Sequence, residues 1–346
     1  MKSLAYKYVI GTGGIGKGIL YRFLENETLG RNESRMALLT DTKDYCKLHI
    51  ILHYNAVYTE GKIPIYAIGR IGDDHSGYEI KSMMERYGIN TENVLVDNEA
   101  ATMFSTCFIY PNSEGGNITS INSASQKLTI EDIDTFFNTH AIKGKGVIIS
   151  APEVPVMPRA RLLEWGRKLN CLNAASISSS EVMQCIKNDM FPNIDFLSIN
   201  RDEMESIIKN IDNKYDISPD HCYDILRSFN PGMQVAITLG PDGSYIYWNG
   251  KSKRVPAIWK QVENSAGAGD CYFATMIAAM IYGVPFYDSS EGTGIEGLAS
   301  LASSLKVTCN DTIDTEINRQ YLLEQANKIG LRFTKKIRSL FFEEAD

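Results

Sequence analysis

Short runs of apolar and β-branched residues alternate along this chain with longer segments of helical spacing. Tyr6–Ile10, Ile63–Ile68, Gly146–Ser150, Asp195–Ile199 and Gln234–Leu239 are bounded by Gly, Pro, Asn or Asp and predict strands. Asp44–Tyr58, Ser76–Tyr87, Pro158–Leu169, Ser179–Asn188 and Arg201–Asn210 carry apolar residues at helical intervals. Strand and helix in turn predict βαβ units, hence a mainly parallel sheet with helices on both faces. The rhythm breaks at Ala101–Ile121, where Thr102–Tyr110 and Asn117–Ile121 read as strands joined by Pro-Asn-Ser-Glu-Gly-Gly. That pattern predicts a hairpin beside the main sheet, either an edge feature or a flap over a ligand. A second hairpin is expected at Gly243–Trp259.

No repeat, low-complexity tract or Pro/Gly/Ser linker divides the 346 residues, so a single α/β domain over 1–346 is expected. A net charge of −7 with scattered Lys and Arg argues against nucleic acid or an anionic membrane as the main partner. The apolar stretch near 272–286 is broken by Gly283 and Pro285 and falls short of a membrane span. The seven cysteines form no CxxC pair, and the N-terminal apolar run meets Gly too soon for a signal peptide. A cytoplasmic protein with free thiols is the expectation.

Chemistry concentrates at Asn264-Ser-Ala-Gly-Ala-Gly-Asp270, which precedes the small-residue helical run Cys271–Met280. At Gly267, Ala268 and Gly269 successive main-chain N–H groups can converge on an anion, and the following helix directs its N-terminal dipole to the same spot. Asp270 then stands where a carboxylate can take a proton from an attacking hydroxyl. A glycine turn with Asp as a helix cap is the plainer alternative. Gly11-Thr-Gly-Gly-Ile-Gly16 follows the first strand and formally satisfies GxGxxG. A strand-like run, Arg35–Thr40, ends at Asp41, near the offset of a ribose-binding acid. A helix after Gly16 and an NAD(P)-dependent oxidoreductase are therefore a competing expectation. His49 and His53 share a helical face but lack the Glu of HExxH, so core or surface histidines are expected rather than a metal site. Lys17, Arg22, Arg31 and Arg35 are interleaved with Glu25, Glu27 and Glu33, as on a solvated face.

Five stretches in order resemble the ribokinase-like (PfkB) family of carbohydrate and nucleoside kinases. Gly69-Arg-Ile-Gly-Asp-Asp-His-Ser-Gly77 resembles the family's GxxGxDxxG segment, and the flap at 101–121 ending in Asn122-Ser-Ala124 its substrate lid. Asn200-Arg-Asp-Glu203 is similar to its NxxE motif, Thr238-Leu-Gly-Pro-Asp-Gly243 to its nucleotide-side turn, and 264–270 to DTxGAGD. The resemblance implies a three-layer α/β/α sandwich with a small β lid, approximately 12–35 and 98–122. It implies ATP-dependent phosphorylation of a hydroxyl on a sugar or nucleoside, and it allows a homodimer through the lid. It implies Asp270 as base and Gly267–Gly269 as anion hole. Asn200 and Glu203 would organise Mg²⁺ through water, with Thr238, Gly240 and Gly243 beside the nucleotide. The chain departs from the pattern at Asn264, usually Asp, and at Ala266, commonly Thr. It also lacks the usual acceptor-binding polar residues at Gly14–Lys17 and Thr40–Lys47. An unusual acceptor, or a catalytically silent binding protein that keeps the fold, is the expectation those departures raise.

Overall fold

In strand β1 (Val9–Thr12) successive side chains enter opposite layers: Val9 joins one buried cluster and Ile10 the other. Strands β8 (Val147–Ser150) and β11 (Gln234–Thr238) repeat this, with Ile149 and Ala236 on the side of Val9, and Ile148, Val235 and Ile237 opposite. Strands buried on both faces belong to parallel sheets covered on both sides. The computed structural model describes residues 4–112, 114–212, 216–258 and 261–344. Its main sheet adds β4 (Ile65–Gly72), β5 (Ile89–Asp97), β9 (Leu172–Ala175), β10 (Phe196–Asn200), β12 (Ser244–Trp248) and β13 (Lys251–Val255). The order is β13-β12-β11-β10-β9-β8-β1-β4-β5, parallel except for the antiparallel edge pair β12 and β13.

Helices α1 (Lys47–Thr59), α2 (His75–Arg86), α8 (Ala268–Ile281), α9 (Ile295–Lys306) and α10 (Arg319–Lys328) pack with the Val9 cluster. Helices α3 (Ile130–Thr139), α4 (Val156–Lys168), α5 (Val182–Lys187), α6 (Arg201–Ile211) and α7 (Pro219–Phe229) pack with the Ile10 cluster. The result is the expected three-layer α/β/α sandwich. Among the described residues no helix is long and apolar enough to cross a membrane.

A second sheet has the order β3-β2-β6-β7, from β2 (Gly16–Arg22), β3 (Leu38–Tyr45), β6 (Met103–Ile109) and β7 (Gly115–Thr119). The hairpin expected at 101–121 is present as β6 and β7, and the one at Gly243–Trp259 as β12 and β13. Trp259 itself lies outside the described residues. The helix expected after Gly16 is instead strand β2, paired with β6 and β3. Packing explains the glycines: a Cβ at Gly16 would come within 2.5 Å of the Met103 carbonyl oxygen, and one at Gly14 within 2.5 Å of Glu153. With no helix at its end, this turn offers no helix N-terminus to a dinucleotide pyrophosphate. The run at Arg35–Thr40 enters β3, so Asp41 stands in the small sheet and not beside β1. These two facts remove the basis of the oxidoreductase alternative. The helix expected from Asp44 starts at Lys47, because Asp44 and Tyr45 complete β3, which carries the small sheet's N-terminal part past residue 35.

Asp74 explains the Gly69–Gly77 motif structurally. It caps α2 by accepting from the Gly77 N–H at 2.8 Å, and it also accepts from the Thr102 N–H and hydroxyl, both at 2.7 Å. The motif thus pins the end of β4 to the start of β6. His49 and His53 are core residues: burial pushes their pKa values down to about 3 and about 4, and their rings pack on Tyr45 and Tyr87. Lys17 pairs with Glu79 at 2.7 Å, and Arg35 with Glu33 at 2.5 Å.

Candidate active site

Helix α8 begins without a side-chain cap. Its N-cap, Gly267, has φ of +77°, and a Cβ there would stand 2.6 Å from the Thr312 carbonyl oxygen, so the turn requires glycine. The Ala268 N–H is taken by the Ser265 carbonyl at 3.2 Å and that of Cys271 by Gly267 at 2.9 Å. The N–H groups of Gly269 and Asp270 have no acceptor among the described residues. Nothing lies within 4 Å of a Cβ built on Gly269, so the space beside these donors is open. A helix start with free donors, open space and an aligned dipole is suited to an anion.

Asn264 shapes the approach to this turn. Its side-chain carbonyl accepts from the Ala266 N–H at 2.9 Å, while its amide donates to the Asn310 carbonyl at 2.7 Å. An aspartate could make the first bond but would set a carboxylate against the Asn310 oxygen. Asparagine at 264 therefore fits its partners, and the departure preserves the loop.

A cavity of about 300 Å³ separates the turn from the small sheet. Ser265, Gly267 and Asp270 form one wall, and Ser105, Cys107 and Asn117 of the small sheet another. Asp44, Lys47 and Glu153 complete the polar lining. The stretch Thr40–Lys47 thus delivers charged groups to the cavity although it lacks the family's usual pattern. Asp44 accepts from the Thr312 hydroxyl at 2.6 Å and the Cys107 thiol at 2.8 Å, so both its oxygens are engaged. Lys47 Nζ stands 4.0 Å from Asp270 Oδ1, and Asp270 is the main cause that holds the ammonium above the usual lysine range. Burial pushes the Asp270 carboxyl above its ordinary range, and Lys47 opposes that shift. Burial likewise raises Glu153 to about 7, against the pull of Lys47, whose N–H donates to Glu153 Oε2 at 3.1 Å.

The remaining predicted residues gather at the carboxyl ends of β10 and β11, outside the lining of that cavity. Asn200 and Thr238 are directly paired there. Asn200 caps α6 by accepting from the Glu203 N–H at 2.9 Å, and Glu203 returns the bond to the Asn200 N–H at 2.8 Å. This capping box accounts for the Asn-x-x-Glu spacing without a ligand. Glu203 nevertheless has one oxygen outside that bond. Burial raises it to about 7, with Lys47 opposing and Asp270 adding to the shift, so the two halves of the site share one field. Gly243 has φ of +89°, and a Cβ on it would lie 2.1 Å from the Val255 carbonyl oxygen, whereas the position of Gly240 is open.

Glu153 and Lys47 carried no local motif. Glu153 follows β8 with φ of +75°, and it reaches the cavity only because the turn after β1 packs against it. Left-handed backbone in a non-glycine residue is a feature worth inspection, but it is invisible in sequence.

The profile of the pfkB family carbohydrate kinases matches residues 61–318. Ribokinase of Schizosaccharomyces pombe is 23% identical over 235 residues, which cover 65% of this chain and 69% of that protein. A ribokinase of Arabidopsis thaliana, solved with ribose and ATP, superposes with a TM-score of 0.66 at 18% identity, covering 92% of this chain and 98% of that one. A nucleoside kinase of Burkholderia thailandensis, solved with inosine, superposes with a TM-score of 0.69 at 14% identity, covering 94% and 99%.

Proposed function

Because this chain belongs to the pfkB family of carbohydrate kinases, we propose that it transfers the γ-phosphate of ATP to a hydroxyl of a sugar or nucleoside held beneath the small sheet. The observation that carries this reading is the placement of Asp270. Its buried carboxylate faces the cavity in the first turn of an uncapped helix, beside donors without an acceptor among the described residues. Asp270 takes the proton of the acceptor hydroxyl as its oxygen bonds to the γ-phosphorus, and the bond from that phosphorus to the β,γ-bridging oxygen breaks, with ADP leaving. The Gly267–Gly269 turn receives the negative charge of the transferring group, with Ala268 serving as spacer. Lys47 opposes the effect of burial on Asp270 and so favours its ionised form. On the acceptor side Glu153 and Asn117 can engage hydroxyls, since Asp44 is already committed to Thr312 and Cys107. The cavity lies at the small end of ligand pockets, roughly 300–1,000 Å³, which suits one sugar-sized acceptor.

Thr238, Gly240 and Gly243 are assigned to the nucleotide side, and Asn200 and Glu203 to Mg²⁺. Among the described residues no three His, Cys, Asp or Glu side chains form a cage. The donors offered are oxygens, one of them on a buried carboxylate, which fits an ion that retains most of its water. Bound there, Mg²⁺ would supply charge neutralisation for the polyphosphate.

Turnover of Mg-ATP tested against ribose and a nucleoside panel decides the reading. Relatives solved with ribose and with inosine make these the first acceptors to try. ATP bound without transfer to any acceptor would instead support a catalytically silent binding protein. The small sheet serves as a lid and as a homodimer surface in this reading. Its outer face exposes Phe104 and Ile118, 44% and 71% accessible, more apolar surface than a solvated edge needs. Sedimentation showing monomers alone at micromolar concentration would remove the dimer. Free thiols throughout the described residues suit the cytoplasm.

A further inference from the structure

Lys306, the last residue of α9, is fully buried. Its Nζ donates to the main-chain carbonyl of Asn264 at 2.9 Å, and no carboxylate lies within ion-pair distance among the described residues. The adjoining Val307 carbonyl accepts from the N–H groups of Glu263 and Asn264 at 2.7 and 3.1 Å, so the end of α9 is stitched to the entry of the catalytic turn. A buried charge without an acidic partner is costly, and an apolar side chain of similar length would pack there without that cost. With Asn in place of Asp at 264, the ammonium meets no acid in the turn itself. Its field is felt at Asp270, where Lys306 opposes the upward shift that burial imposes.

We propose that Lys306 is a positioning residue for phosphoryl transfer, holding the 264–267 turn in shape and placing a fixed positive charge behind the anion hole. The proposal rests on the kinase reading and adds a residue to it. A built-in cation at this place favours the anion that gathers as phosphoryl transfer proceeds, and it needs no reorganisation when the reaction occurs. The charged and titratable groups around Lys306 are the thiols of Cys309 and Cys271 and the carboxylates of Asp44 and Asp314. Burial outweighs these neighbours and lowers the ammonium to about 8. The charge is therefore present at neutral pH and lost just above it.

The test is Lys306→Met in the full chain, alongside wild type. The expected result is a fall in kcat of about ten- to a hundredfold, with KM for ATP raised by no more than several-fold. In a companion Lys306→Ala variant, whose shortened side chain leaves room for it, added ammonium or methylammonium should restore part of the rate. The decline of the wild-type rate above about pH 8 should be missing in the variant. Binding of tripolyphosphate, followed by calorimetry, needs no acceptor and no turnover, and the variant should bind it several-fold more weakly. If wild type phosphorylated nothing yet showed that difference, the kinase reading would fall, and with it the role in transfer, leaving Lys306 as the support of an anion site at this turn. Unchanged kcat or unchanged tripolyphosphate affinity overturns the assignment, as does a loss of rate that no amine restores together with a lowered Tm.

Discussion

Replacement of Asp270 by Asn is expected to lower kcat by about 10²–10⁴-fold while the dissociation constant for ADP stays near the wild-type value. Asparagine keeps the size and hydrogen-bonding outline of the side chain but cannot accept the acceptor's proton. Asp270 is buried, and its pKa is raised by that burial, with Lys47 and Lys306 acting against the rise. The sign of the pH effect follows. As pH falls through this raised pKa the base becomes protonated and the rate drops. The acidic limb of kcat/KM should thus lie above the range of an exposed aspartate and disappear in the Asn variant. Turnover close to wild type would remove Asp270 from the role of base.

Gly267→Ala is the second change with a large expected effect. The backbone there has φ of +77°, and the added methyl would meet the Thr312 carbonyl oxygen at 2.6 Å and the Thr312 methyl at 2.9 Å. A left-handed conformation in a non-glycine residue costs of order 1–3 kcal/mol, and the contact with main chain adds to it. The turn must shift to relieve both. Displacement of its donors should cost about 10²-fold in kcat, the scale of losing one anion-hole hydrogen bond. Gly269→Ala serves as the folding control, since its Cβ meets nothing within 4 Å and its Tm should match wild type. A Gly267→Ala enzyme within twofold of the wild-type rate would show that this turn is not the anion hole.

Much of this was legible in the sequence because it depends on local pattern. The alternation of β1, β4, β8, β10 and β11 with helices follows from burial on both faces of one sheet, and apolar spacing reports that directly. The 264–270 stretch stood out because its glycines, its acid and the apolar helix after it are contiguous. Strand β2 departs from the helix its sequence suggests because its partners β6 and β3 are set by the tertiary fold, while Gly11–Gly16 imitates a different turn. Asn200 and Glu203 show another limit, since a capping box and a metal-side pair share one spacing. Glu153, Lys47 and Lys306 had no neighbourhood in sequence to announce them. Glu153 depends on a left-handed residue, Lys47 on the exact start of α1, and Lys306 on the meeting of α9 with a loop from a distant part of the chain.

Helix α8 is buried at every residue from Asp270 to Ile281, packed on α1 and α9 within the same cluster as β1. Its first turn holds the proposed chemistry, and its remaining turns form the hydrophobic hub of that layer. Opening of such a segment belongs to the high-energy end of local unfolding, close to the global transition. Competence and completed folding therefore coincide in this chain: a half-assembled molecule has no seat for the helix, and a nascent or damaged copy stays idle instead of spending nucleotide.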